Sequence, residues 1–155
     1  MTAKGYPDLA TLRFLRMVLD HSSYSGPIFG LFDFDPYGIE ILRCYLVGSK
    51  VSQGDPKNSI PEMKWLGVKF DQVANVKHDT ILTLTDKDRA KAGNMIEATT
   101  MMAGGVIPGL EECRSQLQRM LMTIKKAEIQ TMESTFGLIS WLEDEMLVDV
   151  WNGGW

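Results

Sequence analysis

The 155-residue sequence has few cysteines, no long apolar run and no excess of positive charge. Its two cysteines, Cys44 and Cys113, both lie in apolar patterns of helical spacing. We therefore expect buried thiols in a reducing, intracellular compartment rather than a disulfide framework. No apolar run approaches the ~20 residues that a membrane-spanning helix needs. The first residues, MTAKGYPDLATLRF, contain no signal-peptide core, so we expect no association with a membrane.

The charge balance argues against binding of nucleic acid by charge alone. Sixteen Lys and Arg residues stand against 20 Asp and Glu residues, giving a net charge of −4. Domains that bind DNA mainly by charge are usually basic. A contact with DNA would therefore require a local patch, bound metal ions or a region outside this sequence. The apolar content of 45% is ordinary for a globular protein, and the length suffices for one domain with its own core.

Apolar spacing predicts helices that alternate with short strands. Spacings of three and four residues predict helices at 7–21, 37–47, 86–102 and 110–134, and short apolar runs predict strands at 27–32, 63–70 and 80–84. Gly48 is predicted to end the second helix at its C′ position. The alternation predicts an α/β fold with a parallel sheet.

The most informative segment is GLFDFDPYGIEIL, residues 30–42, in which Asp33 and Asp35 stand between an apolar strand and a helix. Side chains two residues apart on an extended backbone face the same side, here a crevice at the carboxyl end of a strand. Adjacent carboxylates repel each other unless a cation or a shared proton relieves them. Mg²⁺ binds to such oxygens together with water and phosphate, so the pair predicts a metal site. The alternative is that Asp35 caps the helix while Asp33 is merely solvated.

The same residues fit a second class of enzyme. Phosphatases of the haloacid-dehalogenase type follow a strand with Asp-x-Asp and use the first aspartate, here Asp33, as the nucleophile. Asp86 and Asp88 would supply their later acidic pair. However, Pro36 stands where those enzymes usually have Thr or Val. Asp86 and Asp88 are better explained as acids in the first turn of a helix that Thr85 caps.

Five segments, one of which contains the aspartate pair, occur in the same order as in a known family: GYPDLATLRFL, DFDPYGIEILRCYLVGSK, KWLGVKFDQV, LTDKDRAKAGNMIE and QRMLMTIKKAEIQTM. Together they resemble the Toprim domain shared by the meiotic protein that makes DNA double-strand breaks and the topoisomerase VI A subunit. The residues in these segments resemble the meiotic branch of the family more than the archaeal enzyme. The resemblance implies a Toprim-like, Rossmann-type α/β fold with a short, mostly parallel sheet flanked by helices and a helical C-terminal extension. It predicts a Toprim-like domain at 1–134 that lacks its first strand, and an apolar tail at 135–155.

The resemblance also implies a reaction. Asp33 and Asp35 would hold Mg²⁺ near the scissile phosphate of DNA, and Tyr6 and Arg13 would face the DNA. In this family a tyrosine attacks phosphorus, and one DNA end remains linked to the protein. The resemblance implies that the intact protein is a nuclear homodimer that works with other meiotic break proteins and with a topoisomerase VI B-like subunit.

Two parts of the family's catalytic apparatus are expected to lie outside this sequence. The third metal carboxylate, a glutamate on an earlier strand, would precede Gly5, and the nucleophilic tyrosine belongs to a winged-helix region. Tyr6, Tyr24, Tyr37 and Tyr45 all fall in Toprim segments, so none is expected to be the nucleophile. We therefore expect this chain alone to be inactive in DNA cleavage. A third interpretation is a truncated, non-catalytic domain that binds DNA or a partner.

Two adjacent lysines, Lys125 and Lys126, lie within the helix predicted for residues 110–134. They fit either a contact with phosphate or a solvated helix face. The solvated face is the better explanation, because charged pairs on a long amphipathic helix usually point to water.

Overall fold

The computed structural model describes residues 5–21, 23, 26–48, 55–74, 76, 80–101 and 108–151; the side chains at 100–101, 108, 134–136 and 149–151 are excepted. The elements are α1 (Leu9–His21), β1 (Ile28–Phe32), α2 (Pro36–Val47), a 3₁₀ turn (Pro56–Asn58), β2 (Met63–Gly67), α3 (Phe70–Val73), β3 (Leu82–Thr83), α4 (Asp86–Met101), α5 (Pro108–Thr123), β4 (Lys125–Lys126), α6 (Gln130–Phe136) and α7 (Leu138–Trp151). Within these ranges, none of the helices combines the length and the apolarity that crossing a bilayer requires.

Two short sheets and one isolated bridge organise the described strands. β1 pairs in parallel with β2, from Ile28 opposite Met63 to Phe32 opposite Gly67, and β3 pairs antiparallel with β4. An isolated antiparallel bridge joins Phe34, just after β1, to Ala127, just after β4. The predicted α/β fold, with a short parallel sheet flanked by helices, is confirmed.

Helix α2 lies at the centre of the domain and packs on β1, β2, α4 and α5. Nine of its 12 residues are buried, because their spacing leaves almost no polar face. The helix begins with Asp35 as its N-cap and with a proline at N1. It ends at Gly48, which has a positive φ of 84° and donates its N–H to the carbonyl of Cys44 at 3.0 Å. The predicted glycine C-cap is therefore confirmed.

The core is made of apolar side chains from the helices, the strands and the segments that connect them. The fully buried ones include Leu12, Phe34, Ile39, Leu42, Leu46, Ile60, Leu117, Met120 and Met132. Cys44 and Cys113 are buried thiols, as expected. Burial raises the pKa of Cys113 to about 12, so this thiol stays protonated at neutral pH.

The single long helix predicted for 110–134 is wrong. Helix α5 ends at Thr123, whose hydroxyl donates back to the carbonyl of Arg119 at 2.8 Å, and Ile124 adopts a positive φ of 56°. The chain then extends as β4, and the Ile124 carbonyl accepts the Leu84 N–H at 3.1 Å. Pairing with distant strands thus overrides the local helical spacing. Consequently, Lys125 and Lys126 lie on a strand and not on a solvated helix face.

The C-terminal region, for which the apolar pattern gave no assignment, forms helices α6 and α7. Gly137 separates them with a φ of 76° and donates its N–H to the Glu133 carbonyl at 3.1 Å. Helix α7 packs on α6 and β2, and Trp141 is 5% exposed. The predicted domain boundary after residue 134 falls within α6.

Two glycines allow a matched test of this packing. A Cβ at Gly67 would collide with the Phe32 carbonyl oxygen of the paired strand and would lie 2.6 Å from the Trp65 indole nitrogen, whereas a Cβ at Gly93, within α4, would meet nothing within 4 Å. We expect Gly67→Ala to destabilise the protein by about 1–3 kcal/mol through overpacking. Gly93→Ala should stabilise it by about 0.5–1 kcal/mol through helix propensity. Urea unfolding of both variants tests this; equal stabilities would contradict the β1–β2 register.

Candidate metal centre

The two aspartates of the predicted site flank a buried residue at the end of β1. Phe34 is fully buried, and it exchanges two backbone hydrogen bonds of 2.9 Å with Ala127. Successive side chains of an extended segment point to opposite sides. Asp33 and Asp35 therefore lie on the same face, opposite to the one from which Phe34 enters the core. The backbone therefore brings the two carboxylates to one side, at the carboxyl end of the parallel sheet.

Asp33 is half-buried and anchored across the domain. Its Oδ1 accepts the backbone N–H of Ile129 at 2.8 Å. Burial raises the pKa of Asp33, the hydrogen bond from Ile129 opposes this rise, and the negative charge of Glu128 adds to it. Asp33 is thus held in place, and its negative charge is not fully compensated by its neighbours. The capping interpretation instead expects Asp33 to be merely solvated.

Asp35 is also half-buried and caps helix α2. Its Oδ1 accepts the backbone N–H of Gly38 at 2.5 Å. Burial raises the pKa of Asp35, and the charges of Asp33 and Asp88 raise it further. The bond from Gly38 and the positive charge of Lys126 oppose the rise. Within the described residues, only Oδ1 of each aspartate accepts a hydrogen bond, so capping leaves the second oxygen of Asp35 available for a cation.

Gly38 lets the first turn of α2 approach this pair closely. A Cβ at this position would lie 2.6 Å from the carbonyl oxygen of Asp33 and 3.2 Å from Oδ1 of Asp35. The first of these neighbours is backbone and cannot move aside cheaply. A glycine is therefore needed for both aspartates to meet the amino end of the helix.

A second pair of charged residues faces the aspartates. Phe34 pairs with Ala127 in the antiparallel bridge. In this register Lys126 lies opposite Asp35, and Glu128 lies opposite Asp33. Directly opposite side chains share one face of an antiparallel pair, which agrees with the charge effects described above. The helical spacing of residues 110–134 does not predict this arrangement, because it places the segment on a helix. The charged–small–charged alternation of 126–128 has period two, a strand signal that was available.

Lys126 is also bound to a buried carboxylate on α4. Its Nζ lies 2.9 Å from Oδ2 of Asp88, whose side chain is only 4% exposed. Thr85 and Asp88 exchange two hydrogen bonds, at 2.8 and 3.2 Å, which close the first turn of α4. Burial alone would raise the pKa of Asp88, but the hydrogen bonds from Lys126 and Thr85 hold this pKa below its ordinary value. The predicted helix-capping role of Thr85 and Asp88 is thus observed, and Asp86 is 89% exposed in an ion pair with Arg89.

The two predicted DNA-facing residues make internal contacts. The Tyr6 hydroxyl donates to Glu40, which also pairs with Lys91. Partial burial of the hydroxyl and its bond to Glu40 raise the pKa of Tyr6. Arg13 donates its Nε to the side-chain oxygen of Asn58 at 3.0 Å. Their contact with DNA stays a prediction.

The donor set fits Mg²⁺. Two half-buried carboxylates with raised pKa values and unused oxygens carry negative charge that a hard divalent cation would offset. Among the described residues, no three His, Cys, Asp or Glu side chains are grouped closely enough to hold a metal alone. A magnesium ion on Asp33 and Asp35 would therefore keep sites for water or phosphate, as this ion prefers.

The burial of Asp35 predicts how stability depends on pH. Because its pKa is raised above 3.8, the folded protein binds this proton more tightly than the unfolded chain, and the charged form costs stability as the pH rises. Asparagine keeps the capping oxygen and removes the charge. We expect metal-free Asp35→Asn to melt about 2–4 °C higher than wild type at pH 7, which is the shift that a gain of ~1 kcal/mol in the free energy of unfolding produces in a protein of this size. The difference in melting temperature should shrink toward pH 4.

Thermal unfolding in EDTA at both pH values checks this, with Asp88→Asn as the control of opposite sign. The pKa of Asp88 is lowered by its ion pair, so its charge stabilises the protein at pH 7 and the control should melt lower there. A lower melting temperature for Asp35→Asn at pH 7 would contradict the uncompensated charge.

The sequence is similar to those of known proteins over most of its length. The family of Toprim domains found in Spo11 and in the A subunit of topoisomerase 6 matches residues 1–147. Meiotic recombination protein rec12 of Schizosaccharomyces pombe is 33% identical over 132 residues, which are 85% of this chain and 36% of that protein.

Two further relatives come from a plant and a mammal. The A subunit of DNA topoisomerase 6 from Arabidopsis thaliana is 36% identical over 140 residues, covering 88% of this chain and 31% of that protein. Meiotic recombination protein SPO11 of Mus musculus is 30% identical over 135 residues, covering 85% and 32%. The chain thus spans about a third of the length of these relatives. The chain belongs to the Toprim domain family of Spo11 and the topoisomerase 6 A subunit.

Proposed function

We propose that this chain is the Mg²⁺- and DNA-binding Toprim part of a topoisomerase-like DNA transesterase that makes double-strand breaks in meiotic recombination. The carrying observation is the pair of half-buried, insufficiently compensated carboxylates at the end of β1, in a chain of this family. The meiotic proteins among its relatives support the biological role by their names. By family membership we also propose that the intact protein is nuclear, dimeric and partnered by a topoisomerase VI B-like subunit.

The residues of this chain would bind and orient rather than attack. Bound at Asp33 and Asp35, Mg²⁺ would supply a positive charge that holds a DNA phosphate and offsets negative charge developing there. The backbone N–H groups of Ile129 and Gly38 fix the two carboxylates, so their unused oxygens need little reorganisation to bind an ion.

The attacking tyrosine is proposed to come from outside the described residues. The pKa of Tyr6 is raised by partial burial and by Glu40, and the pKa of Tyr45 is raised by burial. A raised pKa disfavours the phenolate that attack on phosphorus requires. Tyr37 is exposed but lies under Lys91, whose Nζ is 4.5 Å from the ring centroid. Tyr24, which is also not expected to be the nucleophile, lies outside the described residues.

Family membership and geometry favour this function over the phosphatase. That reaction would need Asp86 and Asp88 as an acidic pair beside Asp33. Asp88 is instead committed to Lys126 and Thr85, and the highly exposed Asp86 pairs with Arg89.

Magnesium should stabilise the protein through the aspartate pair. A ligand at 100 times its Kd adds about 2.7 kcal/mol to the free energy of unfolding, so saturating Mg²⁺ should raise the melting temperature of wild type by several degrees. We expect the double variant Asp33→Asn/Asp35→Asn to show no such rise. Asp86→Asn, which removes an exposed charge, is the matched control and should respond as wild type does. An equal response in the double variant would exclude the pair as the metal site.

The 155-residue chain should bind DNA in a Mg²⁺-dependent manner without cutting it. We expect fluorescence anisotropy to show binding to a short duplex that requires both Mg²⁺ and the aspartate pair. Incubation with supercoiled DNA and Mg²⁺ should give no protein-linked breaks, and such breaks would contradict the assignment of the nucleophile to another region. The absence of any response to Mg²⁺ would weaken both the proposed function and the truncated, non-catalytic binding domain. Turnover of a phosphomonoester, lost in Asp33→Asn, would favour the phosphatase.

A further inference from the structure

We propose that Lys126 is a phosphate-binding residue of this site and contacts the same DNA phosphate that the aspartate-bound Mg²⁺ would hold. The inference rests on the proposed function, because it takes the ligand to be a DNA backbone phosphate at the metal centre. It assigns to one lysine a role that the aspartate pair cannot perform.

The position of Lys126 is set by backbone pairing on two sides. On one side β4 pairs with β3, where Lys126 lies opposite Leu82. On the other side the bridge to the end of β1 brings it opposite Asp35. The lysine therefore lies on a strand that pairs with β3, next to the residue that forms the bridge to Phe34, and both contacts hold its backbone near the metal centre.

The ammonium group retains donors for a ligand. Lysine has three N–H donors at Nζ, and Asp88 accepts one of them at 2.9 Å. In the part of the chain that the structure describes, no other group accepts a hydrogen bond from Nζ. The Lys126 side chain is 20% exposed, against 4% for Asp88. Asp88 thus fixes the lysine from the buried side and leaves its outer side open.

The charges around the aspartates favour a cation at the position where a phosphate would approach. The negative charge of Glu128 acts on Asp33, those of Asp33 and Asp88 act on Asp35, and Lys126 is the cation that acts on Asp35. A divalent cation leaves this group still negative, and a phosphate adds one more negative charge. Charge-assisted hydrogen bonds from Lys126 would offset that repulsion at the position where the phosphate approaches.

The neighbouring lysine provides a matched control. Lys125 is also partly buried on β4, but it lies opposite Thr83, and strand alternation sends its side chain to the other face. Lys125→Met and Lys126→Met therefore remove the same charge and nearly the same side chain, one position apart. General electrostatic attraction to DNA would be affected equally by both variants.

The test measures Mg²⁺ affinity and DNA affinity separately, by calorimetry without DNA and by anisotropy with saturating Mg²⁺ and a short duplex. With Lys126→Met we expect DNA affinity to fall about tenfold and the slope of log affinity against log salt to shrink by about 0.9. Mg²⁺ affinity should rise roughly fivefold, because a repelling charge near Asp35 is lost. Lys125→Met should change each quantity less than about twofold.

Two further variants separate binding from folding. Lys126→Met leaves the buried Asp88 without its cation, so Lys126→Met/Asp88→Asn removes both charges and keeps the net charge of wild type. We expect this double variant to bind Mg²⁺ as wild type does while DNA affinity stays about tenfold low. Lys126→Arg should retain DNA affinity. In Lys126→Met the affinity for Mg²⁺ should thus rise while the affinity for DNA falls. If Lys126 had only a structural role, its loss would not change the two affinities in opposite directions.

The outcomes distinguish this inference from the function beneath it. If Lys126→Met matches Lys125→Met, or if the double variant recovers DNA affinity, the phosphate role of Lys126 is overturned although wild type still binds Mg²⁺ and DNA. If wild type itself shows no Mg²⁺-dependent DNA binding, the proposed function fails and the inference fails with it. Tight DNA binding by Lys126→Arg together with weak binding by Lys126→Met and by the double variant supports the phosphate contact.

Discussion

The two hydrogen bonds between Phe34 and Ala127 join parts of the chain that are far apart in sequence. They bind the end of β1 to the segment after α5 and thereby stop the helix that the local sequence favours. They also set the register that brings Lys126 opposite Asp35 and Glu128 opposite Asp33. The end of β1 supplies the two aspartates, and the bridge, together with the pairing of β4 with β3, brings Lys126 and Glu128 to them.

The sequence predicted those features whose signals are local. Helical spacing located α1 and α2, an apolar run located β1, and Gly48 ended α2 as its lack of a side chain suggested. The error at 110–134 arose because helical periodicity continues through Ile124 and Ile129, whereas the chain turns where distant strands offer hydrogen bonds. The aspartate pair was visible as a motif, but Lys126 and Glu128 became visible as its neighbours only once the pairing of strands was known.

The two explanations of Asp35 are compatible. One of its oxygens accepts the N–H of Gly38 and begins α2, and the other remains for a cation. In the same way, one oxygen of Asp33 accepts the N–H of Ile129, and the other remains for a ligand in the crevice. Each carboxylate is thus oriented by the backbone before any ion arrives. The raised pKa values show that the metal-free protein bears an electrostatic cost for this preorganisation.

The capping of α2 by Asp35 has a mechanical consequence. Helix α2 is buried along most of its length and packs on two strands and two other helices. Tension applied to a DNA strand held at the aspartates would pass through Asp35 into this helix, and from there into the whole interior. Because that helix is buried along most of its length, the position of its N-cap, and with it the position of Asp35, is tied to the stability of the core.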